Sequence, residues 1–172
     1  MKHKLMILFV FAFGMLVWSC GDDDPKVNLP DSIKDSKIYS YGITSPAGAV
    51  LTLEKTLKLS DFTALGTNEK YVNKGELNVN SYIDFVKGAT ATIELKDVTL
   101  QIKNNSKIKY SLGTISGDKR FNSLEDLGFL QLVVNEMISK KETVLLMSFN
   151  TANAITTPAN LNFNLDVTFR FQ

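Results

Sequence analysis

The fold of this chain is decided by the stretch Leu161-Asn162-Phe163-Asn164-Leu165-Asp166-Val167-Thr168-Phe169-Arg170-Phe171. Its large apolar side chains stand at the odd positions and its polar side chains at the even ones, which is the period of a half-buried β-strand. Each apolar side chain contributes about 2 kcal/mol of gross burial, so this strand must cover a substantial core. A shift of one residue in its pairing would turn the whole apolar face to water.

Alternating segments elsewhere in the chain predict further strands. One is predicted over residues 37–43, and another over residues 51–59, either as one long strand or as a hairpin that turns at Glu54-Lys55. A second hairpin is predicted to reverse at Asn104-Asn105, because asparagine tolerates left-handed turn conformations. The alternation slips by one residue at Lys96-Asp97, and this slip predicts a β-bulge.

One segment has the features of a helix. Ser123 is followed three residues later by Asp126, which is the pattern of a capping box, and apolar residues then recur at helical spacing up to Lys140-Lys141. We therefore predict one helix near residues 124–139. The predicted fold is mainly β: a single domain over residues 37–172, built as an antiparallel two-sheet β-sandwich of about seven to nine strands with that helix.

The first residues have the parts of a secretory signal. Lys2, His3 and Lys4 form a short basic start, and Leu5–Trp18 is an uncharged apolar run. This run is shorter than the roughly 20 residues that a membrane-spanning helix needs. A basic start, a short apolar run and a small residue before the cleavage site predict a signal peptide over residues 1–19.

The end of this leader resembles a lipobox, the recognition motif of bacterial lipoprotein signal peptides. The residues that match are Leu16-Val17-Trp18-Ser19-Cys20, with an apolar residue three before the cysteine and a small one directly before it. The resemblance implies cleavage after Ser19 and a thioether-linked diacylglycerol on Cys20. Two or three acyl chains hold a protein durably on a membrane, whereas one chain does so only marginally.

The residues after the cysteine carry a second resemblance. Gly21, Asp22, Asp23 and Asp24 are similar to the lipoprotein export signal of Bacteroidota, which implies a lipid-anchored protein on the cell-surface side of the outer membrane. A solvated acidic spacer on a periplasm-facing anchor is the alternative. The proline- and aspartate-rich residues 20–36 are predicted to form a flexible lipidated tether. No family is recognised from the residues of the mature domain.

Composition excludes several kinds of chemistry. The formal net charge is +1 and no basic run occurs, which argues against a nucleic-acid partner. The one cysteine is Cys20, and the one histidine, His3, would be lost with the leader. Nucleophilic triads and structural zinc sites need such side chains, so we predict no catalytic residue, no metal, no cofactor and no enzymatic activity. A pair of carboxylates, as in glycosidases, stays open.

The polar face of the organising strand is one candidate binding site. Asn160, Asn162, Asn164 and Asp166 stand at alternate positions, so their oxygen atoms would form a row that could bind calcium or a sugar. The alternative interpretation is the solvated side of a sheet. We take Asn162, Asn164 and Asp166 forward as candidate ligand-binding residues.

Two tyrosines form the other candidate. Tyr39 and Tyr41 would lie on the same face of the first strand and could make an aromatic platform for a sugar ring, backed by Tyr71 or Tyr82. Tyrosines placed in this way are also typical of packing pairs at the edge of a core.

These observations predict an outer-membrane-anchored lipoprotein that acts as a non-enzymatic binding or assembly module at the cell surface. Its partners would be the membrane, through the lipid on Cys20, and a glycan or a protein. One alternative is a carrier of a lipid or other hydrophobic ligand in an apolar cavity. A further alternative is a glycan hydrolase that uses two carboxylates. Exposed lysines at positions 55, 58, 103, 107 and 109 are interpreted as a solvated face that also keeps strand edges from pairing.

Overall fold

A computed structural model describes residues 28–89 and 93–172. The predicted lipidation site Cys20 and the predicted export signal, Gly21, Asp22, Asp23 and Asp24, lie outside these described residues. The strands and the α-helix, in chain order, are β1 (Ser32–Ser45), β2 (Val50–Lys58), β3 (Val72–Leu77), β4 (Tyr82–Val86), β5 (Glu94–Ile102), β6 (Asn105–Ser116), β7 (Lys119–Phe121), α1 (Leu124–Lys140), β8 (Glu142–Thr151) and β9 (Ile155–Phe171). Two 3₁₀ segments, Leu59–Asp61 and Thr63–Tyr71, connect β2 to β3.

The strands form two antiparallel sheets, as the sequence predicted for a β-sandwich. The first sheet has the order β1-β9-β4-β7, with β3 also paired to β9, and the second has the order β2-β8-β5-β6. The long strand β9 is central to the first sheet. It pairs with β1 along one edge, while β4 and β3 share its other edge at Asn160–Asn164 and Val167–Phe171.

The core lies between the two sheets and follows from the alternation in β9. Leu161, Phe163, Leu165, Val167 and Phe169 of that strand are all fully buried. Phenylalanines from other elements fill the space opposite them, and the rings of Phe62 and Phe169 meet edge-on with centroids 4.9 Å apart. The organising stretch therefore buries the face that its sequence predicts.

The helix α1 begins and packs as its sequence indicates. The Ser123 hydroxyl accepts a hydrogen bond from the Asp126 backbone N–H, and the Asp126 carboxylate accepts one from the Ser123 N–H, so the predicted capping box is confirmed. The helix packs against β3 and β8. At Gly75 of β3 a Cβ atom would lie 2.6 Å from the Ile138 Cδ1, so the absence of a side chain allows this close approach.

The first strand is longer than predicted. β1 begins at Ser32 rather than Lys37, so residues 32–36, which the sequence placed in the tether, pair with Arg170–Asp166 of β9. The backbone of β9 offers hydrogen-bond partners along its whole edge, and these pair with β1 despite its polar composition.

Three local predictions from the sequence concern the second sheet. β2 is one continuous strand, because its residues pair with β8 from Val50 to Lys58, and there is no hairpin at Glu54-Lys55. The predicted bulge is present: Asp97 has a φ of 54°, and the register shifts between Leu95 and Val98. The predicted β5–β6 hairpin is confirmed, but its turn lies at residues 103–104, one residue before the predicted Asn104-Asn105, and neither asparagine is among the described residues with a left-handed backbone.

Candidate binding face

The polar ladder predicted on β9 lies on the outer surface of the first sheet, beside residues of three other strands. Ser40 of β1 and Asp84 of β4 both pair with Asn162, and Arg120 of β7 pairs with Asp84. This arrangement makes one row across four strands, with directly opposed side chains about 5 Å apart. We name this surface the ladder face and define it by Ile38, Ser40, Tyr82, Asp84, Arg120, Asn160, Asn162 and Asn164.

The first row of the ladder face is linked by polar contacts. The Ser40 hydroxyl donates a hydrogen bond to the Asn162 Oδ1 at 2.7 Å. The Arg120 Nε lies 3.5 Å from the Asp84 Oδ1, and the two side chains are 53% and 22% exposed. The row thus presents a hydroxyl, an amide, a carboxylate and a guanidinium in sequence, each a group that can bind a ligand hydroxyl.

A second row adds an apolar side chain and an aromatic ring. Ile38, which is 56% exposed, and Tyr82 pair with Asn164 from opposite sides. The Arg120 guanidinium lies over the Tyr82 ring, with its Cζ 3.9 Å from the ring centroid, a cation–π geometry that fixes both side chains. The Asn164 amide donates to the Asn80 carbonyl oxygen at 2.8 Å. An aromatic ring and an amide therefore lie side by side on this face.

Asp166 differs from its neighbours on the ladder, because the structure buries this candidate ligand-binding residue instead of leaving it on the open face. Its residue is only 6% exposed. Its carboxylate accepts hydrogen bonds from the side-chain amides of Asn78 and Asn80, at 2.8 Å and 3.3 Å, and lies 3.2 Å from the Lys34 Nζ. Burial by itself raises the pKa of Asp166, but the hydrogen bonds from Asn78, Lys34 and Asn80 outweigh it and hold the pKa below its ordinary value. Asp166 holds the β3–β4 loop against β9.

Tyr39 and Tyr41 are core residues. They are 4% and 3% exposed, so neither offers a ring face for stacking with a ligand, and the packing interpretation fits them. Their hydroxyls donate to the Lys58 carbonyl oxygen at 3.2 Å and the Leu145 carbonyl oxygen at 2.5 Å. Burial raises the pKa of both, with the charge of Asp61 adding to the effect at Tyr39. Sequence alternation placed both on one face correctly, but only the sheet register shows that this face is inward.

Sequence reasoning gave Tyr82 only a supporting role and did not single out Arg120. In β4, Tyr82, Asp84 and Val86 alternate with the buried Ser81, Ile83 and Phe85, and this alternation is the signal that could have placed Tyr82 and Asp84 on one outer face. That this face continues the β9 ladder follows from pairing between residues far apart in the sequence. Arg120 gave no local signal, because β7 spans only Lys119–Phe121.

Two further findings concern metal sites and membrane spans among the described residues. Within residues 28–89 and 93–172 no three side chains of His, Cys, Asp or Glu group closely enough to hold a metal ion. In the same part of the chain no helix combines the length and the apolar character needed to cross a membrane.

Comparison with known proteins adds little. No protein-family model and no curated protein matches the chain. Among solved structures, a chain of tobacco necrosis virus is similar over 84% of this chain and 84% of its own, with 15% identity and a TM-score of 0.38. A likeness this low carries no information on function. The class of protein is therefore described from the fold and the ladder face alone. It is an antiparallel β-sandwich with a polar sheet surface that carries an aromatic side chain.

Proposed function

We propose that this protein is a non-enzymatic, lipid-anchored binding protein of the outer membrane whose ladder face binds a glycan outside the cell. The observation that carries this proposal is the row Ser40, Asn162, Asp84 and Arg120, with Tyr82 beside it. Sugars present many hydroxyls that both donate and accept, and a row of polar side chains matches them. The apolar faces of sugar rings pack on aromatic rings, and the Tyr82 ring, one face of which the Arg120 guanidinium covers, adds an aromatic surface beside the row.

The shape of the surface also supports a glycan. The ladder face spreads over four strands of one sheet and is broad rather than enclosed. A chain of sugar rings lying across such a surface would contact several rows at once, and many weak contacts then add up to a useful affinity. A protein partner could bind through the same side chains. The polysaccharide experiment distinguishes this alternative from glycan binding.

The anchor is proposed from the sequence. Acyl chains on Cys20 would hold the protein in the outer membrane, and residues 21–31 would connect the lipid to β1, which begins at Ser32. Mass spectrometry of the native protein should find a lipid-modified N-terminus at Cys20, and Cys20→Ala should move the protein out of the membrane fraction. A native protein that begins at Met1, or a Cys20→Ala variant that stays with the membranes, would contradict the anchor.

The glycan is tested by retention on immobilised polysaccharides such as starch, xylan and mucin. We expect one of them to retain the detergent-extracted protein, and Tyr82→Ala to weaken retention by about tenfold, a loss of about 1.4 kcal/mol. Thr99→Ala is the matched control, because Thr99 lies on the outer surface of the second sheet between Ser148 and Ser111. Failure of every polysaccharide, or an equal loss in the Thr99→Ala control, would contradict glycan binding by this face.

The two alternatives from the sequence gain no support. A carrier would need an apolar cavity between the sheets, where Phe85, Phe149 and Phe163 are buried among other large side chains. A carboxylate-based hydrolase would need two facing carboxylates in a cleft. Asp84, the carboxylate on the ladder face, is instead ion-paired with Arg120.

A further inference from the structure

A groove of about 350 Å³ runs between the edge strands β1 and β2 and shares Ile38 with the ladder face. Each of these strands is at the edge of its own sheet, and the groove is the gap where the two edges face each other. Its charged lining consists of Lys37, Lys55, Lys58 and Asp61, and its uncharged lining includes Ile38 and Thr56.

Two of these lysines stand at positions that point between the sheets. Lys37 shares the inward phase of Tyr39 and Tyr41, and Lys55 shares that of Leu53 and Leu57. Both are half-buried. A lysine at such a position lays its aliphatic stem along apolar surface and brings its ammonium group to the rim. The two sheets therefore each contribute a half-buried lysine to the lining of the same groove.

The lining of the groove has more positive than negative side chains. Lys34, Lys74, Lys96, Lys103 and Lys140 each have a carboxylate within 4.0 Å, whereas Lys37, Lys55 and Lys58 have none among the described residues. Asp61 is the one carboxylate in the lining, and it accepts a hydrogen bond from the Lys58 backbone N–H at 3.1 Å. The lining of the groove thus has three lysines and one carboxylate, which already accepts a hydrogen bond.

We infer that this groove binds a small organic anion of the size of a uronic acid. Its volume lies at the lower end of the range of small-molecule sites, which suits one sugar-sized ring better than a bare ion. The lysines bind the carboxylate through charge-assisted hydrogen bonds, while Ile38 and Thr56 contact the ring. The lysines that recognise the anion lie outside the ladder face, which contributes only Ile38, so this binding is tested separately from glycan binding there.

Edge protection is the competing explanation, because inward-pointing charges also stop edge strands from pairing between molecules. Under that explanation, replacing Lys55 would increase self-association and no anion would bind. Under ours, the lysines recognise a ligand, and their replacement weakens its binding.

Calorimetric titration of the full-length protein with glucuronate, glucose and inorganic phosphate tests the inference. We expect saturable binding of glucuronate at millimolar concentrations or below, no saturable binding of glucose, and weaker glucuronate binding as salt is raised. Lys55→Gln and Lys37→Gln remove the charge but keep a polar side chain, and each should weaken glucuronate binding by about tenfold. Thermal unfolding of each variant establishes that it is folded.

Lys109→Gln is the matched control, because Lys109 is an exposed lysine on β6. It should change glucuronate binding by less than about twofold. The inference is overturned if glucuronate does not bind, whether or not phosphate does. It is also overturned if Lys109→Gln weakens glucuronate binding as much as Lys55→Gln. Self-association of Lys55→Gln with unchanged glucuronate binding would also overturn it in favour of edge protection.

Discussion

The hydroxyl of Tyr41 on β1 donates a hydrogen bond across the core to the carbonyl oxygen of Leu145 on β8, at 2.5 Å. These residues belong to different sheets, so a polar contact joins the two layers of the sandwich within the core. The Tyr41 ring also meets Phe163 edge-on, with centroids 5.5 Å apart. Tyr41 thus combines burial in the core with a link that sets how the two sheets face each other.

Tyr41→Phe should lower the free energy of unfolding by about 1–2 kcal/mol, because the buried Leu145 carbonyl oxygen loses a partner while the ring is kept. Urea unfolding followed by circular dichroism measures this change. Tyr71→Phe is the control: Tyr71 is half-buried, and its hydroxyl has no hydrogen bond among the described residues. Its effect should stay within about 0.5 kcal/mol, and equal losses in both variants would contradict this role of the Tyr41 hydroxyl.

Stability should fall at alkaline pH through the buried tyrosines. Burial, followed by the hydrogen bond to Asp126, raises the pKa of Tyr110 to about 12, and burial raises the pKa of Tyr39 and Tyr41 further. A raised pKa in the folded state gives stability that is complete below the unfolded value of about 10 and is lost as pH rises above it. Ultraviolet titration of phenolate absorbance should show Tyr39 and Tyr41 ionising only with unfolding. Ionisation of either near pH 10 in the folded protein would contradict this.

Two glycine substitutions should have opposite signs. Gly75→Ala places a Cβ atom 2.6 Å from the Ile138 Cδ1 and 3.0 Å from the Val134 Cγ1, so it should destabilise the fold by about 1–3 kcal/mol. Gly128→Ala, on the exposed side of α1, meets nothing within 4 Å and should stabilise the fold by about 0.5–1 kcal/mol. Thermal and urea unfolding compare the pair. A neutral Gly75→Ala would mean that the helix does not approach β3 so closely.

Asp166→Asn should lower the free energy of unfolding by about 1–3 kcal/mol at neutral pH, because two side-chain amides and one ammonium then face an uncharged amide. The Asp166 pKa is lowered in the folded state, so this stabilisation is present above about pH 4 and is lost as pH falls through the folded value. The difference between the wild type and the variant should therefore shrink in acid. Glu142→Gln, at an exposed position, is the control and should show no such pH dependence.

Features carried by neighbouring residues were predictable from sequence. The alternation in β9, the capping box at Ser123 and the bulge at Asp97 each depend on a few adjacent side chains, and each is present in the fold. Features that depend on register were not predictable in the same way. The burial of Asp166 follows from Asn78 and Asn80, which reach it from a loop far away in the sequence.

The residues of the ladder face also differ in how far the sequence could predict them. Asn162 and Asn164 were found from the period of their own strand, whereas their neighbours Tyr82 and Arg120 come from strands whose pairing partners the sequence does not specify. Lys55 was predicted from the sequence to lie on a solvated face, whereas in β2 it is half-buried in the phase of Leu53 and Leu57. Its meeting with Lys37 across the groove requires both sheets to be in place.

The central claim, that the ladder face binds a glycan, is tested most directly by nuclear magnetic resonance of the ¹⁵N-labelled protein. The titrant is an oligosaccharide from the polysaccharide that retains the protein. We predict that the amide shifts that change on titration cluster on β1, β4, β7 and β9 around Asn162 and Tyr82, and that the same titration of Tyr82→Ala gives much smaller changes. Shift changes confined to β2, β5, β6 and β8, or no changes at all, would contradict the claim.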